Sequence, residues 1–360
     1  MSADKGNANL RWMPWLDSAK GFGILLVVLG HASLLGPLNH FLYAFHMPLF
    51  FIISGLLFKP RALGVVLRRK AQSLLIPYFA FALLTFLYWS VIERRFRPGA
   101  YSVTDAAINI VVARAGIEHN PYNVVLWFLP CLFITEMVFA AIYLMVHRGS
   151  QGSRVGDVAI ACSAIVSFLI GGWIQSLDLP RLPFTLDIIP FSYGFYAIGY
   201  VAKGALPLLH RLAGTPARIR LTLLAPSVLL FAFVGTVTLG TGLRVDLNNM
   251  VVSSIPIMIV TAIAGTLATV LICIAIDNPL FRYLGGGSLT VMCVHDPIKR
   301  VVITLVAKVM HADAGVVRIQ VLPLLVVVAL TVLCSVLVHE MLKRTVPQVL
   351  GMHGRVRSGR

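Results

Sequence analysis

Ten apolar stretches, at about 18–35, 41–58, 74–92, 124–146, 157–176, 187–203, 221–240, 254–276, 288–310 and 319–339, take up most of this 360-residue chain. A helix needs ~20 mostly apolar residues to cross a bilayer, and within lipid every backbone N–H and C=O must be satisfied by the protein itself. The recurrence of such stretches restricts the chain to an all-α polytopic membrane bundle of about ten transmembrane helices. Only 12% of residues are charged, against about 25% in a typical soluble protein. That balance excludes both an ordinary soluble domain and a disordered chain. Several stretches are short or carry Pro and Gly, which spans packed among other spans tolerate. Asp17 and Lys20 interrupt the start of the first stretch. No small-residue cleavage pattern follows it, so it reads as an uncleaved span rather than a signal peptide.

The net charge is +16, from 30 Lys and Arg against 14 Asp and Glu. In a soluble protein this excess would point to nucleic acid. In a polytopic chain it points to cytoplasmic loops, which collect Lys and Arg. With ten spans and both termini in the cytoplasm, nineteen cations fall inside and seven outside. No nucleic-acid partner is expected. Residues 1–342 read as one transmembrane domain, and 343–360 as a basic cytoplasmic tail able to meet anionic lipid headgroups. The connection from 93 to 123 holds an apolar run at 108–112 suited to the outer interface. The five cysteines, Cys131, Cys162, Cys273, Cys293 and Cys334, all lie in apolar runs with no CxxC pair. They form neither a disulfide framework nor a zinc pattern, and no metal site is expected.

Ionisable groups inside spans are costly and mark function. Here they are Lys20, His31, His46, Glu136, His295, Asp296, Lys299 and Arg300. Lys20 and His31 are eleven residues apart, which places them on one helix face about 16 Å apart along the axis. Gly21, Gly23 and Gly30 leave room for a close neighbour on that helix. Lys20 also sits three residues from Asp17, a spacing that allows an ion pair at the inner interface. Pro48 disrupts the second span and frees carbonyls near His46. Ser54 and Gly55 permit close packing further along. Trp127 suits an interfacial anchor or a stacking surface. Glu136 either pairs with a cation of another span or helps hold a substrate. Asp296 and Arg300, four residues apart, are placed to neutralise each other.

Asp-Ser-Ala-Lys-Gly-Phe-Gly-Ile-Leu-Leu-Val-Val-Leu-Gly-His at 17–31 and Phe-His-Met-Pro-Leu-Phe-Phe-Ile-Ile-Ser-Gly at 45–55 resemble the membrane acyltransferase family 3. Leu-Trp-Phe-Leu at 126–129 and Leu-Gly-Gly-Gly-Ser-Leu-Thr-Val-Met-Cys-Val-His at 284–295 look like two further markers, in the same order along the chain. Many members carry an arginine eleven residues before the first histidine. This chain has Lys20, which keeps the charge without the planar fork and resembles the fucose-acetylase-like and xanthan-type exopolysaccharide branch.

The resemblance implies a bacterial inner-membrane O-acetyltransferase. It would take an acetyl group from cytoplasmic acetyl-CoA to a sugar hydroxyl of an exopolysaccharide, O-antigen or lipid-linked oligosaccharide. His31 is then the general base, since a neutral imidazole accepts a hydroxyl proton. Lys20 meets donor phosphate, with further phosphate contacts from Arg68, Arg69 and Lys70. His46, Ser54, Trp127, Glu136 and His295 line the substrate site. The competing class is a proton-coupled transporter of a small polar substrate, because intramembrane His, Glu, Lys and Asp also build proton paths. Against it stands the lack of a paired inverted repeat in the sequence.

Overall fold

The computed structural model describes residues 13–96, 101–147 and 154–351. Lys5, Arg11, Arg148 and the tail beyond 351 lie outside the described residues. In chain order the helices are α1 (Pro14–Ala32), α2 (Gly36–Tyr43), α3 (His46–Leu56), α4 (Leu63–Phe96), α5 (Val103–Val112) and α6 (Val124–Val146). Then follow α7 (Arg154–Ser176), α8 (Ile189–Val201), α9 (Leu206–Ala213), α10 (Ala217–Thr241), α11 (Ile255–Ala275) and α12 (Pro279–Gly286). The last are α13 (Ser288–Val309), α14 (Ala314–Ile319) and α15 (Val321–Thr345). Between α10 and α11 a small antiparallel hairpin pairs β1 (Val245–Asp246) with β2 (Val251–Val252), Val245 opposite Val252. The architecture is the expected all-α multi-pass membrane bundle.

Six helices among the described residues, α4, α6, α7, α10, α11 and α15, are long and apolar enough to cross a bilayer. The other expected spans take a different form for physical reasons. The stretch at 41–58 is split. The chain turns at Ala44–Phe45, so α3 has 11 residues, and α8 has 13. Both are almost wholly buried among neighbours, which satisfy what a short helix leaves open. In α1 and α13 the ionisable residues, rather than length, set the segment apart from a lipid-facing span. The break in the second stretch lies just before Pro48, which sits in the first turn of α3, where its missing N–H has no partner to lose.

α1 is central and packs against α3, α11, α12, α13 and α15. Its closest approach is to α12. A Cβ at Gly21 would stand 1.9 Å from the Phe281 carbonyl oxygen, and one at Gly285 would stand 1.8 Å from that of Asp17. The two glycines face each other so that backbone meets backbone, the small-residue packing that drives helix association in lipid. α3 and α8 cross in the same way, through Gly55 and Gly199. At its C-terminal end α1 stops at Ser33, whose backbone is extended and whose Oγ accepts from the Leu35 N–H at 2.9 Å. Arg318 then takes up the open carbonyls. Its guanidinium donates to the Ala32 oxygen at 2.8 Å and the His31 oxygen at 3.3 Å, a favourable cation at a helix C-terminus.

Replacing Gly285 by Leu should separate α1 from α12. The expected cost is about 3 kcal/mol or more, at the upper end of overpacking effects, seen as a lower unfolding midpoint and loss of the monodisperse peak in detergent. A Gly286→Leu change, where a Cβ meets nothing within 4 Å, should leave both unaltered.

Candidate active site

Three helices bring three imidazoles to the end of the bundle where α1 stops. His31 lies in the last turn of α1, His46 opens α3, and His295 lies in the middle of α13. The His31 and His295 ring centroids are 5.4 Å apart. Tyr43 bridges the others, 6.1 Å from His31 and 4.7 Å from His46.

The rings are held differently. His46 Nδ1 stands 2.7 Å from the Leu42 oxygen, which also accepts from the Phe45 N–H at 3.2 Å in the turn between α2 and α3. His295 Nδ1 stands 2.9 Å from the Val291 oxygen and 3.0 Å from that of Met292. A carbonyl only accepts, so Nδ1 carries the proton in both rings and Nε2 keeps its lone pair. His295 Nε2 is buried without a partner among the described residues. The His31 ring makes no hydrogen bond to any described residue, and it faces open space instead. It lines a cavity of about 580 Å3 together with Tyr43, Asn120, Asp296, Lys299 and Arg318. It also lines a second of about 200 Å3 with His46, Trp127 and the hairpin residues Asp246 to Asn249. The two share His31, Tyr43, Ile117 and Val124, so they are lobes of one vestibule with His31 at its waist.

α13 is fixed by a strap from the segment before α6. Pro297 has no N–H, so the Cys293 carbonyl four residues earlier lacks its helical donor. Asn123 supplies one, with Nδ2 2.7 Å from the Cys293 oxygen. Arg300 donates to the Pro121 oxygen at 2.8 Å and to that of Tyr122. Its charge is balanced by Glu93 at 3.3 Å and Asp296 at 3.6 Å. Asp296 also holds Lys299 at 2.6 Å. The expected Asp296–Arg300 pairing is present, and Lys299 joins it as a cation in the His31 cavity.

A separate cavity of about 630 Å3 opens at the other end of α3. Its walls carry Ser54, Lys59, Arg61, Arg69, Lys70 and Glu136. Glu136 is buried and pairs with Lys70 at 2.8 Å, so its partner is a cation of another helix. Along α3 the two cavities are about 12 Å apart, eight residues at 1.5 Å each from His46 to Ser54. Phe50 and Phe51 stand between them, against Phe128 of α6, with ring centroids at 6.0 and 5.2 Å.

The residues singled out from the sequence thus fall into two groups. His31, His46 and Trp127 line the histidine vestibule, with His295 buried against the His31 ring and lining neither lobe, whereas Ser54, Arg69, Lys70 and Glu136 meet at the basic cavity. Arg68 is exposed and lines neither. Lys20 pairs with Asp17 at 2.6 Å and lines none of these cavities. Sequence reasoning missed Tyr43, Asn123, Lys59, Arg61 and the hairpin. For Asn123 a signal existed: a proline inside a span leaves a carbonyl that some donor has to meet. No group of three or more metal-ligating side chains occurs among the described residues.

These features define a class: a multi-pass helical membrane protein with a histidine-lined vestibule at one end and a cationic cavity at the other. Comparison with known proteins narrows it. The family model described as Acyltransferase domain matches residues 13–340, and the chain belongs to that family, the one its motifs resemble. Among curated proteins it is similar to Nodulation protein NolL of Mesorhizobium japonicum, 27% identical over 208 residues, covering 51% of this chain and 46% of the relative. It is also similar to Nodulation protein NolL of Sinorhizobium fredii, 28% identical over 211 residues, covering 51% and 47%. The chain spans about half the length of these curated relatives. No solved structure matches.

Asn123→Ala should leave the Cys293 carbonyl buried without a donor. The expected cost is about 1–3 kcal/mol, read as a lower thermal midpoint. Asn123→Ser, which keeps a hydroxyl donor, should recover part of it.

Proposed function

We propose that the protein transfers an acetyl group from cytoplasmic acetyl-CoA to a sugar hydroxyl, with His31 as the general base. The acceptor is a glycan of the exopolysaccharide, O-antigen or lipid-linked type, and the site of action is a bacterial inner membrane. The observation that carries this reading is the His31 ring. It stands at the waist of a vestibule open to a ligand, with neither nitrogen committed to the described residues. Membership of the acyltransferase family supplies the reaction class.

The steps follow from the groups present. The acceptor O–H gives its proton to the free imidazole nitrogen as its oxygen bonds to the thioester carbon. The C–S bond then breaks, and the leaving thiolate takes the proton back from the imidazolium. The carbonyl oxygen gains negative charge in between. Lys299, held by Asp296 at 2.6 Å in the same cavity, is placed to meet it. His295, buried with its ring centroid 5.4 Å from that of His31, packs behind the candidate base.

On the donor side, Lys59, Arg61, Arg69 and Lys70 provide the charge that the phosphates of coenzyme A require. Glu136 orients Lys70. Lys20 adds its charge from the same end of the bundle at longer range. A pantetheine arm has the reach to carry the thioester the remaining distance along α3, and the rings of Phe50, Phe51 and Phe128 must part to admit it.

With the purified chain in lipid nanodiscs, acetyl-CoA and surface glycan, His31→Ala should lower kcat by about 10²–10⁴-fold, the usual contribution of a general base, while the protein still folds. Transfer at the parental rate would remove His31 from the chemistry. Arg69→Ala combined with Lys70→Ala should raise the KM for acetyl-CoA at least several-fold and leave kcat close to parental. An unchanged KM would move the donor site elsewhere.

A further inference from the structure

The smaller lobe of the vestibule, about 200 Å3, is closed on one side by the hairpin between α10 and α11, through Val245, Asp246, Leu247, Asn248 and Asn249. Opposite the hairpin stand Trp127 and His31. The lobe therefore combines a flat aromatic ring, one carboxylate, two carboxamides and the candidate base. An aromatic face takes the C–H side of a sugar ring, while Asp and Asn meet its hydroxyls with acceptors and donors.

The hairpin is a built element rather than a loose loop. Val245, Leu247 and Val252 are buried. The Asp246 carboxylate accepts from the Asn249 backbone N–H at 3.2 Å and from its Nδ2 at 2.7 Å. Arg181 donates to the Asn248 carbonyl and is itself paired with Asp187. The Gln175 Nε2 donates to the Val252 oxygen at 3.0 Å. Asn248 Oδ1 accepts from the Gly116 N–H at 3.1 Å. That last bond fixes the carboxamide's orientation and leaves its Nδ2 donor, with no acceptor among the described residues, for a guest in the lobe.

We infer that the hairpin at 245–252 is the sugar-recognition element of the vestibule. It holds one pyranose ring of the acceptor against Trp127 through Asp246, Asn248 and Asn249, and so decides which hydroxyl reaches His31. The inference rests on His31 as the reacting base for its consequence, but the binding itself does not depend on the reaction. A chamber of this size admits one ring, so selectivity lies in the acetylated unit, while the rest of the glycan occupies the larger lobe.

The test uses the full chain in nanodiscs and a panel of methyl pyranosides of neutral hexoses, 6-deoxyhexoses and N-acetylhexosamines, read by saturation-transfer NMR. Asn248→Asp is the informative variant. It keeps an oxygen that accepts from Gly116 and exchanges the Nδ2 donor for a second, anionic acceptor. Asp246→Asn is the second. At least one glycoside should bind the parent, and its Kd should rise about tenfold in Asn248→Asp, the loss of one hydrogen bond. With the glycan acceptor, KM for acetyl-CoA should stay unchanged, while acceptor KM rises or the acetylated position shifts. If no glycoside binds the parent, or if both variants bind and transfer as the parent does, the hairpin is not the recognition element. His31→Ala separates the two readings. It should still bind the glycoside, with a Kd within a few-fold of the parent, and transfer about 10²–10⁴-fold more slowly. Full transfer by that variant would fail the base while leaving the binding result to stand or fall by itself.

Discussion

A helix that carries an aspartate, a lysine and an arginine through an apolar medium must neutralise them from within, and the rest of the site follows from how α13 does so. Asp296 takes both Lys299 and Arg300, and Arg300 reaches on to Glu93 and to the carbonyls of Pro121 and Tyr122. One charge cluster thereby ties α13 to the end of α4 and to the strap before α6. Each group is expensive when left alone in low dielectric, and removing one partner exposes the others to that cost. The strap brings Asn123 to the carbonyl that Pro297 leaves open. The strap leads into the first turn of α6, where Trp127 lines the smaller lobe together with His31. Charge neutralisation, helix repair and site construction are one arrangement.

Two helices carry this order from one end of the bundle to the other. α3 begins with His46 in the vestibule and reaches Ser54 in the basic cavity, while α6 runs from Trp127 to Glu136 between the same two places. α3 can lie so close to α8 because glycines occupy their crossing, Gly55 against Tyr196 and Gly199 against Ile52. α1 is anchored by Gly21 and Gly285 at one end and capped by Arg318 at the other. The backbone that presents His31 is therefore fixed on both sides, as the base of the proposed transfer would require.

Much of this was legible from residue type and spacing. An imidazole in an apolar stretch is costly enough to demand a reason, and His31, His46 and His295 do converge. The same logic led to Glu136 and to the Asp296 pairing. The motifs placed the chain in its family, and the family model agrees. Spacing left two roles open at Lys20. It shares a face with His31, and its ammonium takes the Asp17 pair one turn away. Arg68, Arg69 and Lys70 read as one cluster, but successive residues on a helix point 100° apart, and only Arg69 and Lys70 face the cavity. Tyr43, Asn123 and the hairpin asparagines carried too weak a signal. They are short polar residues in connections, and their importance comes from what the fold sets opposite them. Six of the ten apolar stretches fold as helices long and apolar enough to cross a bilayer, and the shorter ones have a related reason. Hydropathy measures apolar length, whereas α3 and α8 are shielded by protein and need not match the thickness of lipid.

The three phenyl rings between the chambers have a consequence for the membrane itself. A hydrated ion or a proton wire needs a continuous file of water, and a stack of hydrocarbon at van der Waals contact denies it one. In the proposed reaction a thioester on a slender, flexible tether makes no such demand. A barrier of this kind would then keep the electrical insulation of the bilayer intact, so that the energy stored across it is not drained with each turnover.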